Sequence, residues 1–294
     1  MDRKFDRSQE DLGNVVLLEH VQVTVPDQKP ATLFYVTGLG LTRDPYLMTG
    51  LENMWVNAGR NQFHLLHNER AQVVRGHVGL VLPDRAALLR RLASVKERLS
   101  DTRFGYVERE GYVEATCPWG NRIRCFEPDA QRFGRIVLGI PYVEFDVPSG
   151  TANAIARFYR EAIKALTSVE EDANGRYARI KVGNWQHLHF RETDRPLPEY
   201  DNHHLQIYVN DFSGPYRWLL GRNLVSEESD QYQYRFREIV DPENGKPLFT
   251  IEHEIRSMTH PLYARPLVNR NPVQTNRNYA PGYDAGSWGM GHIG

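Results

Sequence analysis

The stretch LEHVQVTVPD at residues 18–27 is a short apolar run that stops at Pro26 and Asp27, and worn copies of it recur three times. The copies are GHVGLVLPD at 76–84, YVEFDVPS at 142–149 and HHLQIYVND at 203–211. After each copy the residue pattern predicts one helix and then further strands. A repeat of roughly 60 residues indicates four copies of one supersecondary unit, and this repetition decides the fold.

Composition narrows the class of protein. The 294 residues suit two domains of ordinary size. Hydrophobic residues make up 40% and charged residues 25%, with a net charge of -1, which argues against nucleic acid or an anionic membrane as the main partner. No stretch approaches a membrane span, and the start MDRKFDR has no apolar signal-peptide core. Two cysteines fit a reducing compartment, so we expect a cytoplasmic protein.

The repeat also predicts the domain organisation. Residues 1–14 form an N-terminal arm, 15–130 a first domain built from copies one and two, and 137–256 a second domain built from copies three and four. The boundary falls near 127–135, where Pro, Asp and charged residues cluster. Residues 257–294 are predicted to be an irregular tail. Its aromatic content, with Tyr279, Tyr283 and Trp288 after the 261–267 segment, suggests that it covers a domain face or wraps a second subunit.

A β-α-β-β-β unit used four times resembles the vicinal oxygen chelate superfamily, which includes glyoxalase I, bleomycin-resistance proteins and type I extradiol dioxygenases. The resemblance covers about residues 15 to 255, and its most specific parts are Glu19-His20-Val21, Phe34-Tyr35 with Gly38-Leu39-Gly40-Leu41, and Pro118-Trp119-Gly120-Asn121 with Glu127. It implies an α+β fold of two domains, in which paired units curl their strands into half-barrel cups. It also implies assembly as a homo-oligomer.

The resemblance implies a metal site as well. The family places ligands on the first strand of a unit and at the end of its last strand. In the first domain these positions hold His20, His77 and Glu127. Two imidazoles and one carboxylate are the ligand set of non-haem Fe(II) oxygen-activating sites. The same set serves Zn, Mn or Ni in a Lewis-acid enzyme. Alignment of 61–67 with 121–127 places His67 as a fourth ligand.

The corresponding positions of the second domain are Tyr142, His204 and Glu252. Because its first-strand histidine is missing, we expect this domain to be non-catalytic. This differs from two-domain extradiol dioxygenases, which usually carry iron in the C-terminal domain. Two alternatives stay open at this point. One is a site built from Glu144, His204 and Glu252, and the other uses His187 and His189.

Catalytic candidates follow from the same comparison. Extradiol cleavage needs an acid-base group, and His64 lies thirteen positions before His77 on the preceding strand. His64 and His67 have opposite parity, so at most one faces the cup. Parity with Glu127 favours His67, and His64 is expected to face the cup only if the register slips. The family's tyrosine near the substrate hydroxyl corresponds to the strand that carries Tyr112 and Glu114. Counting back from the turn puts the carboxylate of Glu114 there, which favours proton abstraction.

Three functions remain open. The first is an Fe(II) dioxygenase that cleaves a catechol-like aromatic diol with O2, as in aromatic compound catabolism. The second is a redox-neutral, metal-dependent lyase, isomerase or thiol transferase, which His67 and Glu114 support. The third is a metal-free binding protein of the bleomycin-resistance type, for which Trp55, Trp119 and Trp185 supply aromatic walls. We take the dioxygenase as the leading hypothesis.

Overall fold

The computed structural model describes residues 5–47, 50 and 52–270, and within them four βαβββ units follow one another. The strands of the first two units are β1 (Val15–Val25), β2 (Thr42–Arg43), β3 (Asn53–Ala58), β4 (Asn61–His67), β5 (Gly76–Val81), β6 (Gly105–Arg109), β7 (Tyr112–Thr116) and β8 (Arg122–Phe126). Those of the last two are β9 (Gly139–Pro148), β10 (Thr167–Asp172), β11 (Gly175–Gly183), β12 (Gln186–Thr193), β13 (His204–Val209), β14 (Val225–Asp230), β15 (Gln233–Val240) and β16 (Pro247–Ser257). This order confirms the predicted α+β class.

One helix follows the first strand of each unit. These four α-helices are α1 (Gln28–Ala31), α2 (Arg85–Val95), α4 (Ala152–Phe158) and α5 (Ser213–Leu220). A further short helix, α3 (Ala130–Phe133), lies in the connection between the second and third units. Wide π-helical turns at Thr32–Gly38 and Tyr159–Ile163 extend α1 and α4, and short 3-10 turns lie at Arg7–Glu10 and Glu97–Leu99. Across the described part of the chain, no helix is long and apolar enough to cross a membrane.

The strands form two mixed sheets of eight, and their order corrects the expected pairing of units. The first sheet runs β14-β15-β16-β13-β1-β4-β3-β2, and the second runs β10-β11-β12-β9-β5-β8-β7-β6. Unit one therefore shares a sheet with unit four, and unit two with unit three, whereas we expected units one and two to share a cup within 15–130. The short connection at 127–138 explains the difference, because it lets β9 return antiparallel beside β5. The edge of β1 is then completed by β13.

Side-chain alternation along β1 separates the core from the cup. Val21 and Val23 are buried in the apolar core that also contains Leu92 of α2. His20 and Gln22 alternate with these two valines along the strand and therefore point to the opposite face of the sheet. We call the polar face of the first sheet the first cup, and that of the second sheet the second cup. Polar and charged side chains line both of these faces.

The described part of the tail packs against the first sheet. The ring of Tyr263 meets that of Tyr208 at a centroid distance of 4.8 Å. Arg265 donates to the fully buried carboxylate of Asp44 at 2.8 Å. The described part of the tail, residues 257–270, therefore covers an edge of the first cup. Three aromatic residues singled out above lie outside the described residues, namely Tyr279, Tyr283 and Trp288.

Candidate metal centre

Strand register brings three histidines together in the first cup. The parallel register of β1 and β4 pairs Gln22 with His64, and the antiparallel register of β1 and β13 pairs Gln22 with His204. His20 lies two residues before Gln22 on the same face. Its ring centroid is 5.7 Å from that of His64 and 5.6 Å from that of His204. One nitrogen from each imidazole lies within 4.8 Å of the other two, which is close enough for one metal ion.

Each imidazole is held from outside through one of its nitrogens. Nδ1 of His20 is 3.1 Å from Oε2 of Glu19, and Nε2 of His64 is 2.7 Å from Oδ1 of Asn53. Nδ1 of His204 is 3.5 Å from Oε1 of Glu252. Metal-binding histidines have this arrangement, because an outer acceptor fixes the ring and leaves the second nitrogen free to coordinate.

The inner polar atoms of the cup lack partners. Nε2 of His20 and Nε2 of His204 are buried and form no hydrogen bond within the described residues. The same holds for both amide atoms of Gln206, which is 0% exposed and pairs with His20 across the sheet. An unpaired buried polar atom costs about 1–3 kcal/mol. Such a cluster on adjacent strands fits a site whose ligand satisfies these atoms.

The electrostatic surroundings keep the imidazoles neutral. Burial lowers the pKa of His20 well below its usual value, and the positive charges of Arg256 and Arg235 act in the same direction. Burial likewise lowers the pKa of His204 well below its usual value. It lowers the pKa of His64 to about 2. A neutral imidazole is the form that binds metal, so no proton has to be displaced at neutral pH.

A carboxylate of the fourth unit lies beside His204. Oε2 of Glu254 lies 3.5 Å from Nε2 of His204. Glu254 is 3% exposed, and it also pairs with Arg235 at 2.6 Å and with Arg256 at 2.7 Å. These two arginines compensate the buried charge, which burial alone would make costly. The cup therefore offers three imidazoles and one carboxylate.

The four groups are related by the repeat. His20 and His204 occupy the same position on the first strands β1 and β13, and each is followed two residues later by a glutamine. His64 and Glu254 occupy the same position on the last strands β4 and β16, since each pairs with that glutamine. These are the two kinds of strand that the resemblance implies for ligands. The unit that supplies the second pair is the fourth, not the second.

An aromatic side chain closes one wall of the first cup. The indole of Trp55 stacks on the ring of His64 at a centroid distance of 3.8 Å with an interplanar angle of 11°. It also meets His20 edge-on at 4.9 Å. Trp55 is 8% exposed, so it shields the two imidazoles from water on that side. It is the one tryptophan among the three proposed as aromatic walls that lies in this cup.

The other predicted ligands lie elsewhere, which corrects the expected set. His77 lies on β5 in the second sheet, with Nε2 3.1 Å from the hydroxyl of Tyr142. His67 is three residues from His64 and therefore faces the opposite side of the sheet, and it is exposed because it is the last residue of β4. Glu127 is exposed beyond the end of β8 and accepts a bond from the backbone of Arg85 at 3.4 Å. The cup expected from His20, His77 and Glu127 is therefore not assembled.

The predicted catalytic residues are divided between the sheets. His64 lies in the first cup, but beside His20 and not beside His77. Tyr112 and Glu114 lie on β7 in the second sheet, where Glu114 pairs with Arg124 at 3.1 Å. The latter two are remote from the histidine cluster because unit two pairs with unit three.

The alternative sites are also not formed as stated. Glu144 lies on β9 in the second sheet, whereas His204 and Glu252 lie in the first. His187 and His189 stack in the second sheet at 6.1 Å. The residue that sequence reasoning missed as a partner of His20 is His204, together with Glu254. The signal was present, because only units one and four have the spacing His-x-Gln on their first strands.

Comparisons with known proteins identify the fold. No family model matches the chain, and no curated protein matches it. Glyoxalase I from Zea mays superposes with a TM-score of 0.54 at 13% identity, covering 82% of this chain and 92% of that chain. A "putative dioxygenase" from Bacillus subtilis subsp. subtilis str. 168 superposes with a TM-score of 0.55 at 16% identity, covering 84% and 86%. The chain has the fold of the vicinal oxygen chelate superfamily, as the resemblance implied.

Proposed function

We propose that the chain is a metal-dependent enzyme that acts on a small molecule, with His20, His64, His204 and Glu254 as the ligands of a divalent ion. The unpaired inner nitrogens of His20 and His204, beside imidazoles held from outside, are the observation that carries this proposal. When bound, a divalent ion polarises chelating oxygens of a substrate as a Lewis acid. The fold of its structural neighbours is consistent with this function.

The role of His64 determines the reaction class. Its Nε2 is hydrogen-bonded to Asn53, as Nδ1 of His20 is to Glu19, and Nδ1 of His204 lies 3.5 Å from a carboxylate oxygen of Glu252; this shared arrangement supports a ligand role. With four protein ligands, a six-coordinate ion keeps two positions, enough for a bidentate substrate but not for O2 in addition. We therefore favour a redox-neutral lyase or isomerase over the dioxygenase that the sequence suggested first.

A second candidate keeps the extradiol hypothesis. His64 is only half-buried, whereas His20 and His204 are 1% and 6% exposed. This difference favours a set in which His20, His204 and Glu254 hold Fe(II) and His64 transfers protons to and from a bound aromatic diol. The set then has the two-His-one-carboxylate composition of oxygen-activating iron sites. A cytoplasmic location and assembly as a homo-oligomer stay predictions under either candidate.

Metal analysis of protein purified without chelator tests the site. We expect about one divalent ion per chain in the wild type and loss of it in His20→Ala and in His204→Ala. His77→Ala is the matched control, because His77 occupies the corresponding first-strand position in the second sheet. Its metal content is expected to equal that of the wild type. Metal-free wild type, or loss of metal in His77→Ala alone, would contradict the proposed centre.

His64→Ala separates the two reactions. The four-ligand enzyme loses metal in this variant, and the wild type consumes no O2 with a panel of catechols. The three-ligand dioxygenase retains iron in His64→Ala, and the wild type takes up O2 and forms a yellow ring-opened product. Iron as the native metal together with O2 uptake therefore selects the second candidate and rejects the first.

A further inference from the structure

The second cup repeats the geometry of the first with different chemistry. The positions that correspond to the four candidate ligands hold His77, Tyr142, Arg124 and His189. Arg124 occupies the last-strand position that holds His64 in the first unit and Glu254 in the fourth unit, and its guanidinium is permanently charged. Within the described residues, histidine, cysteine and carboxylate donors converge in a group of three only in the first cup. The second cup therefore presents a guanidinium at a position where the first cup has a candidate metal ligand.

The second cup contains a cavity lined by guanidinium groups. Its volume is about 390 Å³, and four arginines and three carboxylates line it. The carboxylates already have partners, since Arg191 pairs with Glu144 at 3.1 Å and with Asp172 at 2.8 Å, and Arg179 pairs with Glu170 at 3.4 Å. The guanidinium groups of the two remaining arginines are thus the donors left for a ligand.

These two arginines are Arg124 and Arg132. Glu114 accepts a bond from Nε of Arg124 at 3.1 Å, which orients the guanidinium and leaves its terminal nitrogens as further donors. Arg132 forms no ion pair with any described residue and lies over the ring of Phe126 at 4.2 Å. Guanidinium groups bind carboxylate or phosphate oxygens through charge-assisted hydrogen bonds. The polar end of the ligand is therefore an oxyanion.

Aromatic side chains form the rest of the wall. Tyr142, Tyr177 and Trp185 all line the cavity. Trp185 has a φ of 60°, a left-handed conformation that a bulky residue rarely adopts. Its indole lies against Gly134, where an added Cβ would come within 2.2 Å of the ring. The missing side chain at Gly134 therefore leaves room for this indole in the wall, and a left-handed backbone at a bulky residue such as Trp185 is found most often at functional sites.

We propose that the second cup is a metal-free binding site for a small aromatic oxyanion, whose carboxylate or phosphate contacts Arg124 and Arg132. Its ring stacks among Tyr142, Tyr177 and Trp185. A neighbouring cavity of about 630 Å³ shares Arg179, Trp185 and His187 with the cup, so the site is large enough for ring substituents. The site is independent of the metal centre, because it lies in the other sheet.

Calorimetric titration of the full chain tests this site. Benzoate and phenyl phosphate are the aromatic probes, whereas cyclohexanecarboxylate and inorganic phosphate lack the ring. We expect an aromatic probe to bind more tightly than its non-aromatic counterpart. The preferred aromatic probe distinguishes a carboxylate ligand from a phosphate ligand. Arg124→Gln and Arg132→Gln are each expected to weaken binding at least about tenfold, the loss of one charge-assisted hydrogen bond.

Two controls make the result specific. Arg135→Gln removes an exposed arginine close in sequence that does not line the cavity, and it is expected to bind as the wild type. His20→Ala is expected to retain binding even where it loses metal, which separates this inference from the proposed function. The inference is overturned if no probe binds at millimolar concentration, if Arg124→Gln and Arg132→Gln bind normally, or if binding is lost with the metal. Equal affinity for benzoate and cyclohexanecarboxylate would reject the aromatic part of the ligand.

Discussion

The carboxylate of Glu19 is expected to set the affinity of the metal centre without touching the ion. Glu19 is 5% exposed, and its Oε2 lies 3.1 Å from Nδ1 of His20. The same oxygen accepts from Arg256 at 3.2 Å. Glu19→Gln keeps the shape and the hydrogen-bond acceptor but removes the negative charge that makes Nε2 of His20 a stronger donor to a metal.

The structure allows an estimate of the loss. Changes to the outer partner of a ligating histidine typically weaken metal binding about 10–100-fold, which corresponds to about 1.4–2.7 kcal/mol. Arg256 keeps its pair with Glu254 at 2.7 Å, so it is not left as an uncompensated buried charge. The metal-free variant is therefore expected to lose only about 1 kcal/mol in free energy of unfolding.

Competition with a chromophoric zinc chelator measures the dissociation constant, and chemical denaturation of the metal-free protein measures stability. Glu144→Gln is the control, because Glu144 lies 3.8 Å from Nδ1 of His77 in the second cup. That variant is expected to bind zinc as tightly as the wild type. An affinity of Glu19→Gln within about twofold of the wild type would refute the assignment of His20 as a ligand through Nε2.

Three further predictions concern stability. Burial alone would raise the pKa of Glu144, but hydrogen bonds from histidine and arginine neighbours hold it at about 2, against an ordinary value of 4.5. The ionised carboxylate therefore contributes about 3 kcal/mol to the free energy of unfolding above pH 4.5, and this contribution is lost as the pH falls through about 2. The stability of Glu144→Gln should consequently depend less steeply on pH in acid than that of the wild type. Identical acid denaturation profiles would contradict this. Gly79→Ala places a Cβ 2.3 Å from the ring of Tyr142, so it should lower the free energy of unfolding by about 1–3 kcal/mol without changing metal content, as denaturation and metal analysis would show. Arg265→Ala leaves the fully buried Asp44 without its ion pair and should cost about 1–3 kcal/mol, and an unchanged midpoint of unfolding would show that this part of the tail does not stabilise the first sheet.

The fold could be predicted from sequence because the repeat is local. The residue pattern within each unit predicts its own strand, helix and further strands. Alternation of apolar and polar residues along 15–25 likewise separates the core face from the cup face without knowledge of the rest of the chain. The sequence therefore sufficed to place His20 and His64 on cup-forming strands. It also sufficed to identify the kinds of strand that carry the candidate ligands.

The pairing of units could not be predicted in the same way. It depends on contacts between β1 and β13, which are far apart in the chain, and no local pattern records them. Treating sequence neighbours as spatial partners brought in His77 and Glu127 and left His204 to an alternative site with Glu144 and Glu252. The assignment of His67 differs for another reason, because the histidine that faces the cup lies three residues before the strand end and parity puts His67 on the face opposite the cup. The His-x-Gln spacing that units one and four share was the sequence signal that could have indicated their pairing.

The union of the first and last units has a consequence for biosynthesis. Residues 20 and 204 belong to β1 and β13, which can pair only after the chain has been synthesised as far as Val209. Until then, the long hydrogen-bonding edge of β1 has no partner on one side, and such an edge is prone to pair with other chains. Strand pairings between distant residues also form slowly. Pairing of β13 with β1 both covers this edge and brings His204 to His20. A nascent chain therefore loses its exposed strand edge and gains its candidate metal-binding residues in the same folding step.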